Sequence, residues 1–379
     1  MTRVPLSVLD LSPISEGSTV AQALRNTLDL ARQTEEWGYE RYWVAEHHFV
    51  ATASSSPAVL IGLIAAATNR IRVGSAAVQL GFTTAAAVVE SFGTIDAVYP
   101  DRIDLGVGRS GQRRAEAVTG NGQAASEQVA PERVAQPQVG GLFPSAPAAA
   151  APRKTPLLSA SLAALQQPHA QSPDFSEQLD DLAAFIDGTY ERDGVSLTAR
   201  PGVGAAVQLW LFGSSAGPTA REAGARGLPF AASYHFAPGT TPDAIDEYRR
   251  AFVPSAALSE PYVAVSADVV VGESDSQAGE LAGSFPQWVH SIRSGRGAVE
   301  YPNPKTATPL TDEQYRLVAD RVSTQFVGSA ATVSEQLEAL QTATGADELV
   351  LTSVTHDHAD RLRSYELLGK EWGLPRLRI

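Results

Sequence analysis

The chain has 379 residues, 44% hydrophobic and 19% charged, with no cysteine. That length suits one large α/β barrel or two smaller domains, and the composition excludes general disorder, disulfides, thiolate metal sites and cysteine nucleophiles. The charge balance, 29 basic against 42 acidic residues for a net −13, argues against nucleic acid or anionic lipid as partners.

No apolar run reaches the roughly 18 residues of a membrane span. The opening MTRVPLSVLDLSPISEG meets Asp10 after a few apolar residues and lacks a small-residue cleavage site, so a cytoplasmic protein is expected. Lysine occurs only at Lys154, Lys305 and Lys370, which argues against Schiff-base chemistry.

Taken in order, the chain alternates strand and helix. Val4–Leu11 reads as a buried strand, and a helix capped by Thr19 runs to about Trp37, stopped by Gly38. Arg41–Ala45 is the next strand and ends in Glu46-His47-His48. Pro57–Thr68 is an apolar helix, Ile71–Leu80 a strand, Ala85–Val98 a helix, and Arg102–Val107 a strand ending in Gly-Arg-Ser.

The pattern then breaks. Residues 112–172 are rich in Ala, Gln, Pro, Gly and Ser and too poor in large apolar groups for a core of their own. This stretch is expected to be a low-complexity insertion or mobile loop within a single domain spanning 1–379.

Helix resumes at Phe175–Tyr190, followed by strand Val207–Phe212, helix Pro218–Arg226, strand Pro229–Tyr234 and helix Pro242–Phe252. Tyr262–Val271 is a strong strand, with helix from Ser274 to about Arg293. An irregular stretch, Ser294–Pro309, precedes helices at Thr311–Arg321 and Thr332–Thr342, strand Glu348–Val354 and a closing helix, His358–Leu368.

Eight strands, nearly all followed by helix, predict a (β/α)8 TIM barrel with insertions after strands 4 and 7. A doubly wound sheet would need an early strand–GxGxxG–helix unit. The nearest match, Gly106-Val107-Gly108-Arg109-Ser110-Gly111, has the wrong final spacing.

Barrel chemistry sits at strand C-termini. There the sequence places Asp10, Glu46-His47-His48, Ala76-Ala77, Gly108-Arg109-Ser110, Gly213-Ser214-Ser215, Tyr234-His235 and Thr352–His358. Neighbours in a strand point to opposite faces, so one of His47 and His48 faces the mouth and the other packs away, unless the pair is purely structural. His356-Asp357-His358 has a metal-ligand spacing, but Thr355 and Asp357 also suit a helix cap, and the cap is the reading preferred; no metal site is expected. Arg109 follows glycines and offers a fork to phosphate. Gly213-Ser214-Ser215 precedes a helix and offers hydroxyls and backbone N–H groups to an anion. On consecutive strands the two elements sketch a phosphate pocket for a cofactor.

The runs YWVAEHHF (42–49), RVGSAAVQL (72–80), DRIDLGVGRS (101–110), LWLFGSS (209–215) with GLPF (227–230), and THDHADRLRSYELL (355–368) resemble the bacterial-luciferase-like family of flavin-dependent monooxygenases, single-component members rather than light-emitting luciferase. The resemblance implies FMN at the strand C-termini, with Arg109, Gly213, Ser214 and Ser215 around its phosphate. The isoalloxazine would lie against Ala76-Ala77, where family members often carry a cis peptide, and beside Glu46-His47, with His47 catalytic. Reduced FMN from a separate flavin reductase would react with O2 to form a flavin peroxide that oxidises a small organic substrate. The stretch after the seventh strand, within 284–310, would close over the flavin, with Arg293 or Arg296 able to meet a charged ligand. The resemblance also implies a homodimer built on Pro57–Thr68 and Ala85–Val98. An F420-dependent oxidoreductase, a non-catalytic flavin binder of the same fold and a metallohydrolase are the other readings.

Overall fold

The computed structural model describes residues 2–109, 141–147, 155–167, 170 and 173–376. The strands are short, apolar runs. We label them β1 (Leu6–Asp10), β2 (Arg41–Val44), β3 (Arg72–Ser75), β4 (Ile103–Gly108), β5 (Gln208–Gly213), β6 (Phe230–Ala232), β7 (Val263–Gly272) and β8 (Glu348–Thr352). Each pairs in parallel with the next, and β8 pairs back onto β1 through Leu6–Leu349, so the sheet closes into a barrel.

Outside the barrel run α1 (Val20–Glu36), α2 (Pro57–Ala67), α3 (Ala85–Val98), α4 (Phe175–Asp187), α5 (Pro218–Ala225), α6 (Thr241–Ala251), α7 (Ala330–Thr344) and α8 (His358–Trp372). Their starts follow capping chemistry. Thr19, Thr84, Asp174, Ser329 and Asp357 each accept a first-turn N–H through the side chain, and glycines in the left-handed region end α4, α7 and α8.

Alternation along the strands divides the interior in two. Leu6, Val8, Tyr42, Val44, Val73, Ile103, Leu105, Val263 and Val265 face outward into the shell between strands and helices. Leu9, Trp43, Trp210, Ala231, Ala264 and Val350 face inward and fill the lumen. The lumen is crowded because Trp43 lies edge-on to both Trp210 (5.3 Å) and Phe212 (5.2 Å). Gly106 makes room for them, since a Cβ there would lie 1.9 Å from Ser75 O and 2.5 Å from the Phe212 ring.

The N-terminal end of the lumen is a buried ion network. Arg41 donates to Asp104 (3.1 Å) and Glu348 (2.7 Å), Arg72 reaches Asp104 (2.5 Å), and Ser7 and Tyr262 donate to Glu348 (2.6 and 3.0 Å). Burial raises the Asp104 and Glu348 carboxyls, and the arginines oppose that rise.

The C-terminal end is covered on the β8–β1–β2 side by the excursion after β7. Helix Phe285–Arg293 and fully buried Tyr301 pack into the lumen cluster with Leu11 and Val354. Tyr301 N donates to Ile14 O (2.8 Å), Glu16 N to Tyr301 O (3.0 Å), and Ala51 N to Ala298 O (2.8 Å), so residues 298–301 are clipped to the loops after β1 and β2.

Several boundaries differ from the sequence reading. Ile71–Leu80 is not one strand: β3 stops at Ser75 and a short Val78–Gln79 strand follows, with a cis Ala76–Ala77 bond between them. Ser274–Arg293 is two helices, Asp275–Leu281 and Phe285–Arg293, because Gly283 loosens the chain and Pro286 lacks an N–H. Thr311–Arg321 likewise divides into Asp312–Arg316 and Ala319–Ser323. Phe326–Ser329 is a strand the reading missed; it pairs with the last residues of β7.

The insertion 112–172 falls largely outside the described residues, as does Ser110. Within its described part, Pro156–Leu165 is a helix capped by Thr155, Tyr234 OH donates to Leu142 O (2.8 Å), and Phe143 lies edge-on to Tyr234 (5.9 Å). No helix among the described residues is long and apolar enough to cross a membrane.

Candidate functional site

Two groups of polar side chains stand at the C-terminal mouth, one on β2–β5 and one on β6–β8.

The first begins after β2. Glu46 acts as a brace: its Oε2 accepts from Gln79 N (3.0 Å), its carbonyl O from Gln79 Nε2 (2.9 Å), and its Oε1 pairs with His48 Nε2 (2.8 Å). His48 therefore turns back to the chain, with its ring edge-on to Phe82 at 6.1 Å. His47 N donates to Ser54 O (2.9 Å); Ala45, two residues earlier, packs in the lumen cluster, and His47 contributes to lowering the His235 imidazole at the end of β6, so it lies on the mouth side.

Beside it, half-buried Ala76 packs on the lumen cluster, and Ala77 stands so near β4 that a Cβ on Gly108 would lie 3.3 Å from its own. Gly108 pairs with Phe212, so the next residues along, Arg109 and Gly213, leave adjacent strands side by side. Arg109, Gly213, Ser214 and Ser215 are half-buried. The helix that follows, α5, has Gly217 as its N-cap with no side-chain cap, and Pro218 at N1. Its first-turn N–H groups therefore have no capping side chain. A Cβ on Gly217 would meet nothing within 4 Å. Small residues, a guanidinium, hydroxyls and uncapped N–H groups on neighbouring strand ends fit a phosphate-bearing cofactor.

The second group lies across the barrel. His235 Nδ1 pairs with Ser266 Oγ (2.6 Å), and His235 N donates to Ser266 O (3.1 Å). Burial, then the charges of Arg321 and His47, hold the His235 imidazole down at about 3, so it is neutral at ordinary pH. Asp268, two residues along β7 on the same lumen face, accepts from Arg321 Nη2 (3.1 Å). Burial pushes its carboxyl up to about 6 against the pull of Arg321.

The sequence reading named His235 without a role and missed Ser266, Asp268 and Arg321 as a group. The signal was present in part: Ser266 and Asp268 are alternate polar residues in the otherwise apolar strand VAVSADVVVG.

Other residues marked from the sequence have structural partners. Asp10 faces outward, fully buried, and accepts from Arg361 (2.5 Å), Thr27 (2.6 Å) and Tyr42 (2.6 Å), tying β1 and β2 to α1 and α8. Arg361 and these hydroxyls hold its carboxyl below the usual range despite burial. Arg293, read as a ligand arginine, instead pairs with Asp320 (2.5 and 2.7 Å) and Leu317 O (2.7 Å), and so ties the excursion to itself. Arg296 Nε donates to Ser294 Oγ (3.3 Å) at the surface. Asp357 caps α8, while His358 turns to Asp29 (3.0 Å) and His356 to Glu16 O (3.1 Å), so the two histidines diverge.

The model of the luciferase-like monooxygenase family matches residues 4–135 and 166–348. An uncharacterized protein of Bacillus subtilis (strain 168), YvbT, is 36% identical over 371 residues, 97% of this chain and 96% of its own. A luciferase-like monooxygenase of Escherichia coli (strain K12) is 33% identical over 368 residues, 96% of each chain. The crystal structure of apo-MsnO8 is similar with a TM-score of 0.78 and 32% identity, covering 99% of both chains. Two more distant structures share the fold. The oxygenating constituent of 3,6-diketocamphane monooxygenase of Pseudomonas putida, in complex with FMN, is 17% identical with a TM-score of 0.65, covering 99% of this chain and 100% of its own. An F420-dependent secondary alcohol dehydrogenase is 14% identical with a TM-score of 0.58, covering 98% and 99%.

Proposed function

The chain belongs to the luciferase-like monooxygenase family, and from that premise we propose that it uses reduced FMN and O2 to oxidise a small organic substrate. One observation carries the cofactor reading: Arg109 and Gly213-Ser214-Ser215 leave adjacent strands together, at the uncapped start of α5. Arg109 would hold the phosphate with the serine hydroxyls and the first-turn N–H groups. Ala76 and Ala77, with only methyl side chains, would lie against the flat ring, and Glu46 would keep the Ala77–Gln79 loop and His48 in place.

Bound reduced FMN supplies the electrons that activate O2 for transfer of one oxygen atom to the substrate. His47 is the catalytic residue of this reading: an imidazole nitrogen at the mouth holds or passes the proton that accompanies oxygen transfer. The lumen tryptophans and the packed excursion at residues 285–301 keep water from the reacting atoms.

The reading includes a separate flavin reductase as the source of reduced FMN, a cytoplasmic setting where such reductases work, a homodimer, and one barrel domain over 1–379 with 112–172 as an insertion. F420 in place of FMN is the alternative, favoured by the fold shared with an F420-dependent dehydrogenase. A non-catalytic flavin binder is the reading without turnover.

The test is titration of the purified protein with reduced FMN and F420 side by side, then O2 uptake with a flavin reductase, NADH and a substrate panel. FMN binding with substrate-dependent O2 uptake is expected. Tighter F420 binding transfers the reading to the dehydrogenases, and binding without uptake leaves a silent binder. Arg109→Ala should weaken FMN by about 1.5–3 kcal/mol, the loss of a charge-assisted hydrogen bond, and Arg109→Lys should recover only part, because a point charge replaces a fork. An unchanged dissociation constant removes Arg109 from the phosphate site.

A further inference from the structure

Arginine carries five N–H donors, and burying it with donors unmet is costly. The other deeply buried guanidiniums here meet that demand from within. Arg41 reaches Asp104, Glu348 and Gln208 through all three nitrogens (3.1, 2.7 and 3.4 Å). Arg361 donates from Nε to Ser353 O (2.9 Å) and from Nη2 to Asp10 (2.5 Å).

Arg321 differs. It is 4% exposed, its side chain makes one hydrogen bond among the described residues, Nη2 to Asp268 Oδ2 at 3.1 Å, and its Nε is buried without an acceptor. The Phe285 and Phe236 rings, 5.6 and 6.0 Å from the guanidinium carbon, fix its orientation. Asp268 faces the lumen at the rim, and in register beside it Thr352 Oγ1 is also buried without a partner. The fold thus keeps a guanidinium with spare donors at the mouth, across the barrel from Arg109.

We infer that Arg321 is the docking point for a carboxylate on the substrate, paired through the donors that Asp268 leaves free. This inference rests on the proposed monooxygenase reading and names the substrate class of that site. Charge decides the class. His235 is neutral, so Arg321 supplies one positive charge on this side of the mouth. When a carboxylate arrives, Asp268, whose carboxyl already sits at about 6, takes a proton from solvent, and the guanidinium then balances one negative charge. A phosphate dianion would leave an uncompensated charge in a buried place. The planar fork also matches a carboxylate bidentately. His235 lies near both this anchor and His47, since Arg321 and His47 both act electrostatically on it. A substrate held at Arg321 therefore extends toward the proposed reaction centre.

The test uses the full chain and a ligand panel from propionate to decanoate plus benzoate, each beside its amide, with inorganic phosphate and sulfate as further arms. Binding is followed by the fluorescence of Trp43 and Trp210 in the lumen and by calorimetry. At least one carboxylate should bind tenfold or more tighter than its amide. Arg321→Met should erase that preference, and Arg321→Lys should restore part of it. Asp268→Asn, which removes the competing charge, should tighten carboxylate binding severalfold; a merely structural ion pair would not give that gain. FMN affinity should stay within about threefold in all three variants.

Equal binding of every acid and its amide overturns the inference, as does a preference for phosphate or sulfate that Arg321→Met abolishes. If Arg321→Met weakens FMN instead, Arg321 belongs to the cofactor and the carboxylate site fails while the flavin reading stands. If FMN does not bind but the carboxylate preference persists and depends on Arg321, the flavin reading fails and this one stands. Should Arg321→Met not fold, Asp268→Asn decides: no gain in carboxylate affinity overturns the inference.

Discussion

At the scale of single residues, the adjacent histidines divide their roles by direction. His48 is pinned to Glu46, whereas His47 lies toward neutral His235 at the mouth. His47→Ala should leave FMN affinity nearly intact, slow product formation by about 10²–10⁴-fold, and release hydrogen peroxide instead. His48→Ala should lower stability by about 0.5–1.5 kcal/mol, the net worth of a hydrogen bond, with coupling preserved. Peroxide yield and melting temperature of both variants check this, and the reverse pattern would exchange the roles. His235 offers a second prediction. Its folded-state value of about 3 lies below the ordinary 6.5, so the unfolded chain takes a proton first, and the His235 contribution to stability is lost as pH falls from about 6.5 toward 3. Asp268, raised to about 6, acts in the opposite sense between about 6 and 4: the folded chain keeps the proton there, so acidification stabilises. His235→Asn removes only the first effect. Relative to its own value at pH 7, the variant should be more acid-tolerant than the parent, by about 1–2 kcal/mol at pH 4.5 in urea unfolding. Parallel curves would mean that His235 titrates as an exposed histidine.

At the scale of elements, the β3–β4 pair is where packing and chemistry meet. Ser75 Oγ donates to Gly106 O (2.8 Å) and accepts from Gly106 N (3.1 Å), and the side-chain space that Gly106 leaves empty is taken by Ser75 O and Phe212. Gly106→Ala should cost about 1–3 kcal/mol or more, because the nearest atom is backbone and cannot swing aside. Gly108, two residues on, has 3.3 Å to the Ala77 methyl. Gly108→Ala should melt close to the parent and, in the proposed cofactor site, weaken FMN by filling the surface beside the ring. Melting curves and flavin titrations of the two variants separate the contributions; equal losses in both assays would dissolve the distinction. The excursion after β7 is the other element of consequence. Helix Phe285–Arg293 and Tyr301 bury apolar faces on the lumen, and Arg293 is consumed in holding Asp320, whereas Arg321 keeps a buried Nε without an acceptor.

At the scale of the whole molecule, a net charge of −13 repels a second copy, so an apolar patch is the natural place for the chain to self-associate. On α2, Val59 and Leu63 lie outward, 64% and 50% exposed and one turn apart. The outward side of the neighbouring α3 carries Glu90, Ser91 and Thr94 along its length, with exposed Val98 only at its end, so the continuous apolar face belongs to α2. The proposed homodimer should form through it. Light scattering at micromolar concentration should give twice the chain mass, and Leu63→Glu should give a monomer with an unchanged circular dichroism spectrum. A monomeric parent protein would remove the dimer.

The order of strands and helices was legible because period and punctuation are local properties: buried strands read as short apolar runs, and Thr19, Thr84 and Gly38 mark helix ends within a few residues. Strand-end motifs were legible for the same reason, since a barrel gathers consecutive strand ends at one mouth. What local pattern does not carry is the partner of a charge. Asp10 meets Arg361 across 351 positions, and Asp268 meets Arg321 across 53, through a segment whose path depends on packing against the lumen. The cis bond at Ala76–Ala77 was expected from the family resemblance, but the same limit hid the end of the strand at Ser75 within an apolar run, and which side of α2 faces outward, which a helix apolar all round leaves undefined until the barrel has chosen which side to bury. The sequence alone therefore determined the barrel and the address of its mouth; tertiary packing decided which charges there were spent on structure and which, like Arg321 Nε, were buried without an acceptor.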